Sequence, residues 1–343
     1  MSFSPRYELG PIRPPSEASS LLIRVTRGCA WNRCAFCPVY KGIPFSLREV
    51  EEVKADVFAA AQLHGDVFTG AFLQDADSLL MPSGGLAEVI RLIKTSFPRI
   101  RRVTTYSRSA TIAKLPAGAL ARLRDAGLTR VHVGLESGSM AVLRLVTKGV
   151  SPRVHIEAGR RVKEARLSLS EYVMPGLGGR ALTRENALET ARVLNAIDPD
   201  TIRIRTLHIP SGTPLDRSRL EGEFLPLTED EIVRELRMLI EALDGISSEI
   251  VSDHSLNLLM EVRGKLPEDK SGLLGLMDRY LSMPDRDRSL FRLGRRLGVI
   301  RQMSDFENDA LLRAQLEGIL EKLEKGGPAG LEELLADLLG RMI

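Results

Sequence analysis

Ser20-Leu-Leu-Ile-Arg-Val-Thr26 runs directly into Arg27-Gly-Cys29-Ala-Trp-Asn-Arg-Cys34-Ala-Phe-Cys37. The first part is a short apolar run of the kind a buried strand needs. The second holds all three cysteines of the 343-residue chain within nine positions. An odd number of thiols excludes a closed disulfide framework. Thiolates this close are soft ligands, suited to zinc or to an iron–sulfur cluster. A structural zinc site wants four ligands, usually as two separated pairs, and the nearest histidine, His64, lies well outside the loop. An electron-transfer ferredoxin site uses four cysteines per cluster. Three thiolates on a [4Fe–4S] cube leave one iron open to a substrate or cofactor. The spacing points to chemistry at the end of a strand.

Outward from this stretch a strand–helix alternation follows. Further strands are expected at 66–73, 102–106, 130–136, 167–174 and 201–209. Helices are expected at 47–62, 84–96, 115–126, up to about 165, and 184–196. Such alternation builds a parallel sheet with crossover helices, so the expected fold is α/β, a partial (β/α)6 TIM-like barrel. Three regions are expected: an extended, proline-rich arm over 1–19, a core barrel over 20–215 and a mainly helical region over 216–343. In the last, 228–244 and 267–343 read as amphipathic helices. The stripes Leu312, Leu316, Ile319, Leu320, Leu323 and Leu331, Leu334, Leu335, Leu338 flank a turn at Gly326-Gly327-Pro328. Arg286, Arg288, Arg292, Arg295 and Arg296, interleaved with Asp285 and Asp287, read as a solvated face. Glu249-Ile-Val-Ser-Asp-His254 reads as an isolated strand.

In a parallel barrel the loops after the strands share one face, where functional groups gather. The cysteine loop follows the first strand. After the next strands come Gln74-Asp-Ala-Asp77, Tyr106-Ser-Arg108, Glu136-Ser-Gly-Ser139, Pro175-Gly-Leu-Gly-Gly179 and His208-Ile-Pro-Ser-Gly-Thr-Pro214. Five such loops in register with a three-thiolate loop make a strong signal. On these residues the chain resembles the radical S-adenosylmethionine (SAM) superfamily from about residue 16 to 215. The common pattern there spaces three cysteines by three and two residues, with an aromatic before the last. Here Phe36 fills the aromatic position and the first gap has four residues. Gly134-Leu-Glu-Ser-Gly-Ser139, Met174-Pro-Gly-Leu-Gly-Gly179 and Gly212-Thr-Pro-Leu215 resemble the branch holding methylthiotransferases and anaerobic coproporphyrinogen oxidase. The arm Pro14-Pro-Ser-Glu17 resembles a group of bacterial and archaeal members.

The resemblance implies that Cys29, Cys34 and Cys37 ligate three irons of a [4Fe–4S] cluster while SAM chelates the fourth. It places the Phe36 backbone near the adenine and Gln74, Asp75, Ala76 and Asp77 at the amino group of SAM. Ser107 and Glu136 stand at ribose positions, Lys148 at the SAM carboxylate and Gly176 beside the adenine. From the residues alone, Asp75 and Asp77 also suit a helix cap, Glu136 a helix N-terminus and Lys148 the close of a helix before Gly149. The implied chemistry is reductive: SAM is cleaved and a 5′-deoxyadenosyl radical takes hydrogen from an unactivated position. An electron donor such as flavodoxin or ferredoxin is implied, and so is sensitivity to oxygen.

Absences narrow this further. With no second cysteine triplet, auxiliary-cluster enzymes and methylthiotransferases do not match. RNA methylases that carry a methyl group on a cysteine do not match either. Only about twenty residues precede the first strand, too few for a cobalamin domain. The expected function is a single-cluster radical SAM enzyme acting on a small or medium organic substrate. His208, Asp253 and His254 are expected to line its substrate end; Tyr106 and Tyr172 suit donation of a hydrogen or an electron to a product radical, and equally an ordinary place in the core. Two other readings stay open: a non-catalytic heme- or cofactor-trafficking relative, and an RNA- or protein-modifying enzyme. The net charge of +3 does not by itself indicate nucleic acid. No stretch reads as a membrane span or signal peptide, and the need for thiolates makes the cytoplasm the expected compartment.

Overall fold

The computed structural model describes residues 7–324 and 330–340. Six parallel strands pair in chain order: β1 (Leu21–Arg24), β2 (Gly70–Gln74), β3 (Arg102–Ser107), β4 (Arg130–Glu136), β5 (Ser168–Val173) and β6 (Thr201–Ile204). The crossovers are α1 (Val50–His64), α2 (Ser83–Ser96), α3 (Ala119–Ala126), α4 (Pro152–Glu164) and α5 (Gly179–Ile197). Strands β2 and β6 are buried along their whole length, as expected where helices cover one face and the barrel interior the other. Ile23, Leu73, Val103, Val131, Leu169 and Ile202 are fully or almost fully buried in one core with the helix faces. Truncating one of them to alanine costs about 2–5 kcal/mol.

The sheet does not stop at residue 215. After α6 (Glu229–Ala242), β7 (Glu249–Val251) pairs in parallel with β6, and β8 (Arg263–Lys265) pairs antiparallel with β7. The segment read as an isolated strand is therefore the seventh strand of the sheet. No pairing joins β1 to β8 among the described residues, so the barrel is open. Strand six is shorter than expected. Beyond Ile204 the chain leaves the sheet to donate from Leu207 N to Pro175 O and from Thr206 N to Asn257 Oδ1. Helix α3 starts later than expected, because Pro116 and Gly118 (φ +75°) interrupt the run from residue 115.

The C-terminal region is mainly helical: α7 (Lys270–Ser282), α8 (Asp285–Arg296), α9 (Ala310–Glu324) and α10 (Gly330–Gly340). Leu316, Leu320 and Leu335 are buried, with Leu312, Leu331 and Leu334 packed against the same core. The turn at 326–328 lies outside the described residues. The arginine series departs from its reading as a solvated face, since Arg292, Arg295 and Arg296 are buried. Arg295 donates to the carbonyls of Asn257, Leu258 and Ile300, and Arg296 to those of Ser255 and Leu256 and to Glu229. Orphan carbonyls of the loop after β7 are thereby satisfied from α8, which fixes the segment carrying Asp253 and His254. No helix among the described residues is long and apolar enough to cross a membrane.

Candidate active site

A separate small core forms at the C-terminal ends of the strands. Ala35, Val142, Val146, Met174, Leu177, Leu215 and Phe224 are buried together, with Phe36 against them. It seats the cysteine loop, whose Ala35 donates to Val146 O (2.9 Å) and accepts from Leu215 N (3.1 Å). Trp31 adds a second tether. Its Nε1 donates to Thr147 O at 2.8 Å, and the Arg108 guanidinium lies 5.2 Å from its ring centroid. Gly149 sits under this indole with φ +71°, and a Cβ there would come within 2.2 Å of the ring. Gly138 makes an equally tight approach, since a Cβ would lie 2.2 Å from Glu189 O of α5. The string Gly134–Ser139 is thus shaped by packing.

Cys29, Cys34 and Cys37 are free, partly exposed thiols, and all three line one cavity. With its mouth and the solvent in it included, the cavity holds about 1010 Å3 of atom-free space. Phe36, Ala76, Ser107, Glu136 and Lys148 also line it. A register shift between Gly134 and Glu136, with Glu136 at φ +62°, ends β4 there. Lys148 Nζ pairs with Glu136 Oε1 at 3.0 Å, both side chains 12 % exposed. Burial alone would lower the Lys148 pKa, but Glu136 and the Cys34 sulfur outweigh it and hold it up. Burial pushes the Cys34 thiol up, and the Lys148 charge opposes that rise.

The segment Gln74–Asp77 divides. Ala76 faces the cavity, but its neighbours are bound to protein. Gln74 accepts from Gly10 N and donates to Gly10 and Ile12 carbonyls, pinning the N-terminal arm. Asp75 accepts from Arg24 Nη2 (2.6 Å), Tyr40 Oη (3.2 Å) and Gly28 N (3.3 Å), bracing the cysteine loop from below. Asp77 accepts from Ser107 Oγ (2.7 Å) and Thr111 Oγ1 (2.5 Å). Burial pushes its pKa up to about 6 against those bonds. Gly176 donates its N–H to Glu235 and is not on the cavity wall.

None of the three residues expected at the substrate end lines the cavity. Asp253 is held by Arg203 at 2.6 Å. Burial and the Arg205 charge lower the pKa of His208, and the same pair of causes brings His254 down to about 4. Arg205, one residue past β6, is the group of this cluster that does line the cavity, with Tyr106, Tyr172 and Met174. His155 also reaches it: Ser109 Oγ is 2.7 Å from Nδ1, and Nε2 is buried without a partner among the described residues. Burial, then Lys148 and Arg108, depress its pKa to about 3, so the ring is neutral. Sequence reasoning missed Arg205 and His155. A lone arginine after a strand was the only signal for the first, and a lone histidine in a helical run hides the second. Among the described residues no group of three or more His, Cys, Asp or Glu is placed to hold a metal ion. Three thiolates that each bind a different iron of a cube need no such common centre.

A family model described as the radical SAM superfamily matches residues 23–194, half of the chain. The chain is 30 % identical over 108 residues to the tRNA uridine(34) acetyltransferase of Methanocaldococcus infernus, covering 31 % of this chain and 20 % of that protein. It is 27 % identical over 208 residues to the biotin synthase of Carboxydothermus hydrogenoformans, covering 58 % and 60 %. The chain thus spans less than two thirds of either relative. The coproporphyrinogen III oxidase of Escherichia coli, itself described as a radical SAM enzyme, shares the fold with a TM-score of 0.51 at 14 % identity, covering 65 % of this chain and 52 % of that one. A partial parallel barrel, a three-cysteine loop on its open end and the family match agree: this chain belongs to the radical SAM superfamily, enzymes that use a [4Fe–4S] cluster and SAM.

Proposed function

We propose that Cys29, Cys34 and Cys37 hold the [4Fe–4S] cluster and that SAM occupies the cavity they share with Phe36, Ala76, Ser107, Glu136 and Lys148. The reaction is hydrogen abstraction from a small or medium organic substrate at the strand-six side. The observation that carries this is the convergence of three unbridged thiols and these five residues, from four different strand ends, on one cavity. The donor set fits the group: soft thiolates for iron, with an open face toward the cavity. When bound, the cluster and SAM supply the reductive cleavage and the abstracting radical. The protein supplies placement. Glu136 and Lys148 offer an anion and a cation 3.0 Å apart, complementary to an amino-acid moiety and a ribose. Phe36 packs within 5.9 Å of Lys148 Nζ and gives an apolar wall. Neutral His155 offers Nε2 as a donor or acceptor without adding charge. The small core around Ala35 and Phe36 seats the cysteine loop against the strand ends.

Reduced, anaerobically reconstituted protein given SAM is expected to form 5′-deoxyadenosine, and the Cys29→Ala variant none. Intact SAM after prolonged reduction of an iron-loaded protein overturns the enzymatic reading and favours trafficking. A second reading, an RNA-modifying enzyme, is supported by the likeness to the tRNA uridine(34) acetyltransferase. It predicts tRNA binding that weakens steeply with salt. The burial of Arg292, Arg295 and Arg296 removes the arginine series as its docking surface.

A further inference from the structure

The cavity contains three cations, and two of them are committed. Lys148 is paired with Glu136 at 3.0 Å. Arg108 lies over Trp31 and donates to Lys148 O at 3.2 Å. Arg205 differs. Its guanidinium makes no hydrogen bond or ion pair among the described residues, although it lines the cavity and is open to solvent. The nearest carboxylate on the neighbouring strand end, Asp253, is taken by Arg203 at 2.6 Å. Burial and the Arg205 charge lower the pKa of both His208 and His254. So one positive charge stands alone at the strand-six end. Beside it, the Tyr172 hydroxyl is buried next to Tyr106 with no hydrogen-bond partner of good geometry.

A buried phenol without a well-placed partner costs free energy unless a ligand completes it, and the solvent-open guanidinium beside it keeps its donors available to the same ligand. A guanidinium takes a carboxylate with two parallel hydrogen bonds, and a phenol can give a third. A single unpaired cation matches one negative charge better than the two of a phosphate. Tyr106, Tyr172 and Met174 surround the same end with apolar and aromatic surface. We propose that Arg205, with the Tyr172 hydroxyl, receives the carboxylate of the substrate, and that the substrate is a monocarboxylic acid whose apolar or aromatic body lies against Tyr106, Tyr172 and Met174. This deepens the proposed function and rests on its reading of the cavity as the shared site of SAM and substrate. Arg205 is then a substrate-binding residue, set apart from the cofactor by its position at the strand-six end.

The test uses reconstituted holoprotein with SAM, titrated calorimetrically with 3-phenylpropanoate, its uncharged amide and 2-phenylethyl phosphate. The acid is expected to bind saturably, and Arg205→Gln to weaken it about tenfold or more. Arg205→Lys should recover part of the loss. The amide should bind more weakly than the acid and equally to wild type and Arg205→Gln. Iron content, melting temperature and SAM binding should be the same in all three proteins, which separates a lost contact from a lost fold. Equal binding of the acid to wild type and Arg205→Gln overturns the proposal, as does no saturable binding to wild type. Tighter binding of the phosphate overturns the carboxylate assignment. Loss of SAM binding in Arg205→Gln assigns the guanidinium to the cofactor instead. If wild type takes up neither iron nor SAM, the reading of the whole site fails. If it takes up both and the acid ignores Arg205, only this inference fails.

Discussion

Gly149→Ala tests whether the Trp31 contact positions the cysteine loop. The residue has φ +71°, and the new Cβ would meet Trp31 Cζ2, Cε2 and Cη2 at 2.2, 2.4 and 2.5 Å. These are ring atoms of a side chain tethered by its Nε1 to Thr147 O at 2.8 Å, so the indole has to leave. The left-handed backbone costs about 1–2 kcal/mol for a residue with a Cβ, and the forced overlap about 1–3 kcal/mol more. The expected loss is therefore about 2–5 kcal/mol in wild type. In a Trp31→Ala background only the backbone part remains, about 1–2 kcal/mol. A double-mutant cycle by urea unfolding reads the difference as a coupling of about 1–3 kcal/mol. Trp31 is the chain's single tryptophan, so its fluorescence reports the same event directly. A Gly149→Ala variant with wild-type emission, and a cost unchanged by Trp31→Ala, would refute the argument.

Asp77→Ala strands the hydroxyls of Ser107 and Thr111 and should cost about 2–4 kcal/mol; SAM affinity should fall with it, although Asp77 does not line the cavity, and unaltered unfolding would contradict this. Lys148→Met leaves Glu136 mostly buried without its cation and should cost about 3 kcal/mol, with Glu136→Gln in the same chain restoring part of it; equal stability of single and double variants by denaturation would count against the pair. Burial would raise the pKa of Glu17, but His132, Ser20 and Arg102 favour its charged form and hold it down to about 2 from 4.5. A depressed carboxylate stabilises above its unfolded pKa and loses that stability as pH falls toward its folded one, so Glu17 contributes roughly 3 kcal/mol at pH 7 and about 1.4 kcal/mol at pH 3. The gap between wild type and Glu17→Gln in urea unfolding of the metal-free chain should shrink accordingly, and a pH-independent gap would contradict the assignment.

The barrel was legible because its strands are apolar runs bounded by turn residues, and the cysteine loop stood out because three thiols in nine positions have few other uses. What the sequence hid were partners far along the chain. Gln74 and Asp75 read as cofactor contacts, yet they bind the arm at Gly10 and Ile12 and the guanidinium of Arg24. Nothing local to residue 74 announces a partner more than sixty positions away. The alternating Asp and Arg of 285–296 mimic a solvated helix, but the carbonyls that Arg295 satisfies belong to Asn257, Leu258 and Ile300. Asp253 and Arg205 show the same difficulty in reverse. Both are charged residues following strands, and only the Arg203–Asp253 pair reveals which charge is spent and which has no partner among the described residues.

The central claim is that SAM binds at an open iron of a cluster held by Cys29, Cys34 and Cys37. Electron paramagnetic resonance of the reduced, reconstituted protein tests it most directly. The account predicts a [4Fe–4S]+ signal from about four irons per chain, shifted when SAM is added and absent in the Cys29→Ala, Cys34→Ala, Cys37→Ala triple variant. A signal that ignores SAM, or a protein that takes up zinc and no iron, would contradict it.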